Sequence, residues 1–248
     1  MFRHVANLGR DLASGLLELL YPASCAACGR SLPAGGTGFC GPCRAALTAD
    51  LYPACPRCGG TVGPYALVEG GCSRCRQGRF QFDAVLRFGP YEGLLRELVL
   101  RLKHHSGEAL GEGLGRLWAE HAQVSLRGVG AGVVIPVPLH WWRRWCRGYN
   151  QSEVLAHALA DGLGLPCRPR FLRRIRNTPE QTRQTPSGRR DNVRGAFRVR
   201  RGTDLRGRSV LLVDDVLTTG STCSEAAGVL RVAGAARVTV AVLARSQA

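Results

Sequence analysis

Val210-Leu211-Leu212-Val213-Asp214-Asp215-Val216-Leu217-Thr218-Thr219-Gly220-Ser221-Thr222 is the stretch whose reading decides the fold. Val210 to Val213 is an unbroken apolar run, the habit of a strand buried on both faces of a parallel sheet. It delivers Asp214 and Asp215 to its C-terminal end, where open α/β sheets take ligands. Adjacent carboxylates are costly unless hydroxyls or a cation take them up. The 2′- and 3′-hydroxyls of a ribose can donate to both, and a nearby Mg²⁺ relieves the repulsion. Gly220 permits a tight turn and a close backbone approach. The N–H groups of that turn, with the N-terminus of the next helix, suit a 5′-phosphate. Thr218, Thr219, Ser221 and Thr222 add hydroxyl donors. An ordinary Asp N-cap accounts for one acid but not for the whole string. A Walker-type loop fits poorly, because no Gly-Lys-Ser/Thr follows.

Working outward, the pattern is that of an α/β sheet. Residues 84 to 88 read as a short strand, and Tyr91 to Leu102 carries a helical apolar stripe. Leu110 to Val124 reads as a helix weakened by Gly111, Gly113 and Gly115. Val133 to Val137 reads as a second buried strand and Ser152 to Leu163 as a helix with Ser152 as N-cap. Ser221 to Ala233 and Val238 to Leu243 follow as helix and strand. This order implies βαβ crossovers and a parallel sheet.

The earlier strand runs into Pro138-Leu139-His140, with Arg143, Arg144 and Arg147 close behind. Arginine suits phosphate because its fork is bidentate and always charged. Trp141, Trp142 and Trp145 read either as packing at a loop or partner surface, or as a stacking face for bases. Arg147-Gly148-Tyr149-Asn150-Gln151-Ser152 opens a helix, where Arg147, Asn150 and Gln151 can meet a phosphate or simply cap the helix. Residues 176 to 197, with Arg189 and Arg190, form a long basic stretch without apolar period. They read as a lid over a diphosphate or as a solvated loop.

The first 80 residues are different. Eight of the 11 cysteines stand as Cys25/Cys28, Cys40/Cys43, Cys55/Cys58 and Cys72/Cys75. Two such knuckles complete one tetrahedral Cys₄ site, so two structural Zn²⁺ are expected. Sequential grouping is simplest, and spacing leaves a crossed grouping open. A module this small has too little core to fold without metal. The pairing also argues for a reducing compartment rather than a disulfide scaffold. Cys146, Cys167 and Cys223 read as spectator thiols.

At 248 residues, 45% hydrophobic and 21% charged, the chain has the composition of a globular protein. Met1 to Leu20 is too charged for a membrane span and reads as an amphipathic helix. No secretory signal is visible, and a cytoplasmic protein is expected. The net charge is +16, and Lys103 is the sole lysine among 34 basic residues. Residues 168 to 208 hold 14 arginines against Glu180, Asp191 and Asp204, which favours a polyanionic partner.

The 210–222 string resembles the signature of type I phosphoribosyltransferases, which bind phosphoribosyl pyrophosphate. That resemblance implies that Asp214 and Asp215 hold the ribose, that Thr218 to Thr222 hold the 5′-phosphate, and that the 138–140 loop meets the pyrophosphate. Together with Val137-Pro138-Leu139-His140, Arg147 to Gln151, the 176–197 loop and the cysteine-rich start, the chain resembles the ComF (ComFC/GntX-like) family. Tyr149 stands where that family often has Phe. The resemblance implies two parts: a helix plus double zinc ribbon over 1–80, and a phosphoribosyltransferase-like α/β domain over 81–248. It implies a candidate pentosyl transferase with an undefined acceptor, linked to natural competence and DNA uptake. The alternative is a non-catalytic binder of phosphoribosyl pyrophosphate or ribose 5-phosphate that engages single-stranded DNA and competence-machinery proteins.

Overall fold

The computed structural model describes residues 23–33, 35–36, 38–50, 53–177 and 193–246. The expected N-terminal helix, and Arg189 and Arg190 of the expected lid, lie outside them. Contacts divide the chain into two compact units, Met1–Ala46 and Leu47–Ala248. The second cysteine cluster therefore belongs to the same unit as the sheet. The composition change near residue 80 marks a change of architecture within that unit.

A short helix, α1 (Gly41–Thr48), follows the third knuckle cysteine. The remaining elements, in chain order, are β1 (Ala84–Pro90), α2 (Gly93–Arg101), α3 (Glu108–His121), α4 (Gln123–Gly128), β2 (Val133–Pro136), α5 (Trp141–Arg147), α6 (Gln151–Leu163), β3 (Leu172–Arg174), β4 (Phe197–Val199), β5 (Ser209–Leu217), α7 (Ser221–Val232) and β6 (Arg237–Arg245). The main sheet is parallel, in the order β1-β6-β5-β2. β5 and β6 are its central strands, so their apolar runs are buried on both faces: Val210 to Val213 and Val240 to Ala244 are sealed from solvent.

Several elements differ from expectation. β5 runs past both acids to Leu217, with Asp214 opposite Val242 and Val216 opposite Ala244 on β6. The helix expected over 110–124 starts at Glu108 and breaks at Ala122. Gly111 and Gly115 are close-approach positions on it: a Cβ on Gly115 would lie 2.6 Å from the Ala158 Cβ of α6. Gly162 of α6 meets Ala119 in the same way, again at 2.6 Å. Small residues on both helices let α3 and α6 approach closely, and that close fit offsets the weak helix propensity of glycine. The N-cap of α6 is Asn150, not Ser152: the Asn150 side chain accepts from the Ser152 N–H. Other elements, α1 among them, had no forecast. One is α5, capped by His140. Another is the antiparallel β3–β4 pair, which precedes and follows residues 178–192 in the chain.

Candidate functional site

The two acids sit at the top of β5, 8% and 9% exposed. The first turn of α6 reaches both of them. The Ser152 hydroxyl donates to Asp214 Oδ1 at 2.9 Å, and Gln151 Nε2 donates to Asp215 Oδ2 at 3.1 Å. Main-chain amides complete the arrangement, with Asp215 N–H on Asp214 Oδ1 at 3.0 Å and Val216 N–H on Asp215 Oδ1 at 2.8 Å. The Cys223 thiol of α7 lies 3.6 Å from Asp214 Oδ2. Burial, then the charge of Asp215, pushes the Asp214 carboxyl up to about 7, although the Ser152 hydrogen bond works the other way. Burial and the Asp214 charge likewise raise the Cys223 thiol well above its ordinary range. The site thus stores an electrostatic cost that a cation or sugar hydroxyls can relieve.

Immediately after β5 the chain turns through Thr218 and Thr219 to Gly220, whose φ of +80° is left-handed and favours glycine. A Cβ there would also meet the Phe80 ring at 3.2 Å. Thr219 Oγ1 and Ser221 Oγ are 2.9 Å apart, and α7 begins at Ser221. The turn therefore places hydroxyls and a helix N-terminus next to the acids, as a phosphate site requires.

The other expected site residues form a supporting network. Arg147 donates to Gln151 Oε1 at 2.7 Å, which links it through Gln151 to Asp215. Asn150 is occupied with structure: its Nδ2 donates to the Val137 carbonyl at 3.2 Å while its Oδ1 caps α6. The buried Tyr149 hydroxyl donates to the Leu102 carbonyl, joining this segment to the end of α2. Pro138 and Leu139 are half-buried on the neighbouring loop. His140 Nδ1 accepts from the Trp142 N–H at 3.4 Å. Burial, with Arg174 and Arg143 nearby, pushes its imidazole below its usual range. Trp141, Trp142 and Trp145 are exposed, 67%, 46% and 74% respectively, so they do not pack into the sheet core.

Sequence reasoning missed three contributors. Ser152 and Cys223, read as a cap and a spectator, both contact Asp214. Arg245, at the end of β6, donates to the carbonyls of Leu217 at 3.0 Å, Thr218 at 2.6 Å and Cys58 at 2.8 Å. It ties the phosphate turn to the second cysteine module. No local motif announces such a residue, because its partners lie far away in sequence.

The cysteines group sequentially: Cys25, Cys28, Cys40 and Cys43 in one cluster, Cys55, Cys58, Cys72 and Cys75 in the other. Sulfur–sulfur distances are 3.8 Å for Cys28–Cys40 and 3.7 Å for Cys55–Cys75, Cys58–Cys72 and Cys72–Cys75. A tetrahedron with Zn–S bonds of about 2.3 Å has edges of about 3.8 Å. A disulfide would need about 2.05 Å. Amides of Cys40 and Cys72 point at the Cys25 and Cys55 sulfurs, both at 3.3 Å, as thiolates favour. The two knuckles repeat the same turn, with Gly29 N–H on the Cys25 carbonyl and Gly59 N–H on the Cys55 carbonyl, both at 2.8 Å. Both clusters fit structural zinc.

The second module is fastened to the sheet. Arg87 of β1 donates to the Gly59 carbonyl and the Thr61 hydroxyl and forms an ion pair with Asp50 at 2.9 Å. Arg57 donates to the carbonyls of Gly70, Arg76 and Gly78. Among the described residues no helix is long and apolar enough to cross a membrane.

Comparison with known proteins agrees with this geometry. Residues 150–248 match the phosphoribosyl transferase domain and residues 16–78 the double zinc ribbon domain. The DNA utilization protein YhgH of Salmonella typhi is 32% identical over 92% of this chain and 99% of its own. Competence protein F of Haemophilus influenzae is 30% identical over 90% of this chain and 96% of its own. Among solved structures, the glutamine phosphoribosylpyrophosphate amidotransferase of B. subtilis is 24% identical with a TM-score of 0.39; the match covers 58% of this chain and 30% of that longer one. A type I phosphoribosyltransferase-like parallel sheet joined to a double zinc ribbon, and relatives matched almost end to end, place this chain in the competence protein F (ComF) family.

Proposed function

We propose that the chain binds phosphoribosyl pyrophosphate with Mg²⁺ at the top of β5 and serves the handling of incoming DNA in the cytoplasm. The observation that carries this is the buried pair Asp214–Asp215, held by the first turn of α6 directly before the Thr218–Thr222 turn. Asp214 and Asp215 are assigned to the ribose hydroxyls, Thr218 to Thr222 to the 5′-phosphate, and the Pro138–His140 loop to the pyrophosphate. Arg147 and Gln151 position Asp215. Mg²⁺ offsets the carboxylate repulsion and neutralises the diphosphate. In transfer, an acceptor atom bonds to C1 of the ribose while the C1–O bond to pyrophosphate breaks, its electron pair leaving with the diphosphate. The link to DNA handling rests on the names of relatives that match nearly the whole chain.

Titration calorimetry with phosphoribosyl pyrophosphate and ribose 5-phosphate, with and without Mg²⁺, tests the reading. Mg²⁺-dependent binding that disappears in Asp214→Ala plus Asp215→Ala supports it, and no binding of either compound refutes it. A non-catalytic binder engaging single-stranded DNA or competence proteins is a second reading. Pyrophosphate release on incubation with candidate acceptors separates the two.

A further inference from the structure

The phosphate turn is braced from behind by the second cysteine module. Phe80, partly buried, packs both on the cluster of Cys55, Cys58, Cys72 and Cys75 and on the core of the main sheet. Its ring is stacked on Phe82, centroids 4.7 Å apart, and lies directly against the turn: a Cβ on Gly220 would meet it at 3.2 Å. Arg245 makes a second link. Its guanidinium holds the carbonyl of Cys58 at 2.8 Å and those of Leu217 and Thr218 at 3.0 Å and 2.6 Å. A third runs through α7. The Gln81 N–H donates to the Ser224 hydroxyl at 3.0 Å, and the Ser224 N–H donates to the Gly220 carbonyl at 2.8 Å.

The module's end of this brace is fixed by the cysteines. Cys58 belongs to the cluster, so its carbonyl points where its sulfur is held. Phe80 follows Cys75 by five residues, and Arg57 pins the chain between them through the carbonyls of Arg76 and Gly78. Four thiolates gathered within 4.8 Å of one another repel unless a cation is shared among them. Losing that cation spreads the knuckles, and the Cys58 carbonyl and Phe80 move with them. We propose that zinc occupancy of the second cluster regulates the phosphate turn, with Phe80 and Arg245 as the positioning residues that carry the effect. The filled cluster holds the turn in its binding geometry, and the emptied one releases it. This inference rests on the ribose 5-phosphate reading of the turn and deepens it by naming what controls that site. Coupling of this kind is reciprocal, so the ligand tightens zinc at this cluster by the factor that zinc tightens the ligand. The first cluster belongs to the other compact unit and takes no part.

The test titrates the zinc-loaded full chain with a zinc-selective chelator in excess Mg²⁺, with and without a saturating probe. The probe is ribose 5-phosphate or phosphoribosyl pyrophosphate, whichever calorimetry shows to bind more tightly. One of the two zinc-release midpoints is expected to rise by at least about fivefold with the probe, the low end of typical coupling between sites, and the other to stay. Cys25→Ser, which keeps only the second cluster intact, identifies the midpoint that moves. Arg245→Met and Phe80→Ala are each expected to retain two zinc ions and to shrink the shift at probe concentrations that saturate the variant. A ligand that merely stabilises the folded chain would shift these variants as much as the wild type. No shift in the wild type, equal shifts of both midpoints, or a shift of full size in either folded variant overturns the coupling and leaves the ribose-phosphate reading standing. Failure of both probes to bind the zinc-loaded chain overturns that reading and the coupling with it.

Discussion

Asp214→Asn should make the ligand-free protein more stable at neutral and alkaline pH, although it removes a hydrogen-bonded side chain from the sheet. Asp214 is buried beside Asp215, and its carboxyl is raised from 3.8 to about 7. The folded chain therefore keeps this proton up to about pH 7, while the unfolded chain releases it near pH 4. Between those values the folded state binds more protons, so stability falls as pH rises through the window and then levels off. The full displacement corresponds to about 4 kcal/mol, an upper bound because Asp215 shares the repulsion. Asparagine keeps the carbonyl oxygen that Ser152 and the Asp215 amide contact and removes the charge. The expected gain is about 2–4 kcal/mol at about pH 8 and near zero at about pH 4. Urea denaturation of the zinc-loaded wild type and variant across that range measures it. A variant less stable than wild type at about pH 8, or a gap that does not change with pH, refutes the reasoning. The same variant should lose the Mg²⁺-dependent binding, so that stability and function move in opposite directions.

Metal analysis should find two zinc ions per chain; Cys55→Ser should lose one of them and lower the melting temperature of the sheet, because that cluster belongs to the same unit. Arg245→Met removes a charged donor from the carbonyls of Cys58, Leu217, Thr218 and Ser246 and should cost about 2–4 kcal/mol in urea denaturation. It should also weaken ribose 5-phosphate binding through the loosened turn, as calorimetry would show. Gly220→Ala places a Cβ at a left-handed position against Phe80 and should cost about 1–2 kcal/mol, read from the shift in urea midpoint. Ser152→Ala withdraws the hydroxyl that favours the Asp214 carboxylate. It should move the onset of Mg²⁺-dependent binding to higher pH, as a titration of affinity against pH would reveal.

What was legible in the sequence was local. The apolar run, the paired acids and the small hydroxyl residues around Gly220 are adjacent in the chain, so the strand and its turn could be read directly. The cysteine knuckles were legible for the same reason, while their partition into two clusters depended on which loops lie together in space. The cap of α6 was misplaced because Asn150 and Ser152 can both cap. The Ser152 hydroxyl goes to Asp214, a partner 62 positions away. The β3–β4 pair escaped notice because each strand is three residues long, too short for a period to stand out from the arginine-rich sequence around it. By propensity alone Gly111 and Gly115 are weaknesses of a helix, and only the facing Val154 and Ala158 of α6 show why small residues stand there.

The strand order also bears on how the protein is made. β1, the first strand of the main sheet to leave the ribosome, pairs within that sheet with β6, the last of its strands, matching Ala84 with Thr239 and Pro90 with Arg245. Until the final residues emerge, the nascent chain holds an open edge where the middle of the sheet belongs. A message cut short before Arg237 would yield a product without the strand that joins β1 to β5, an edge prone to self-association.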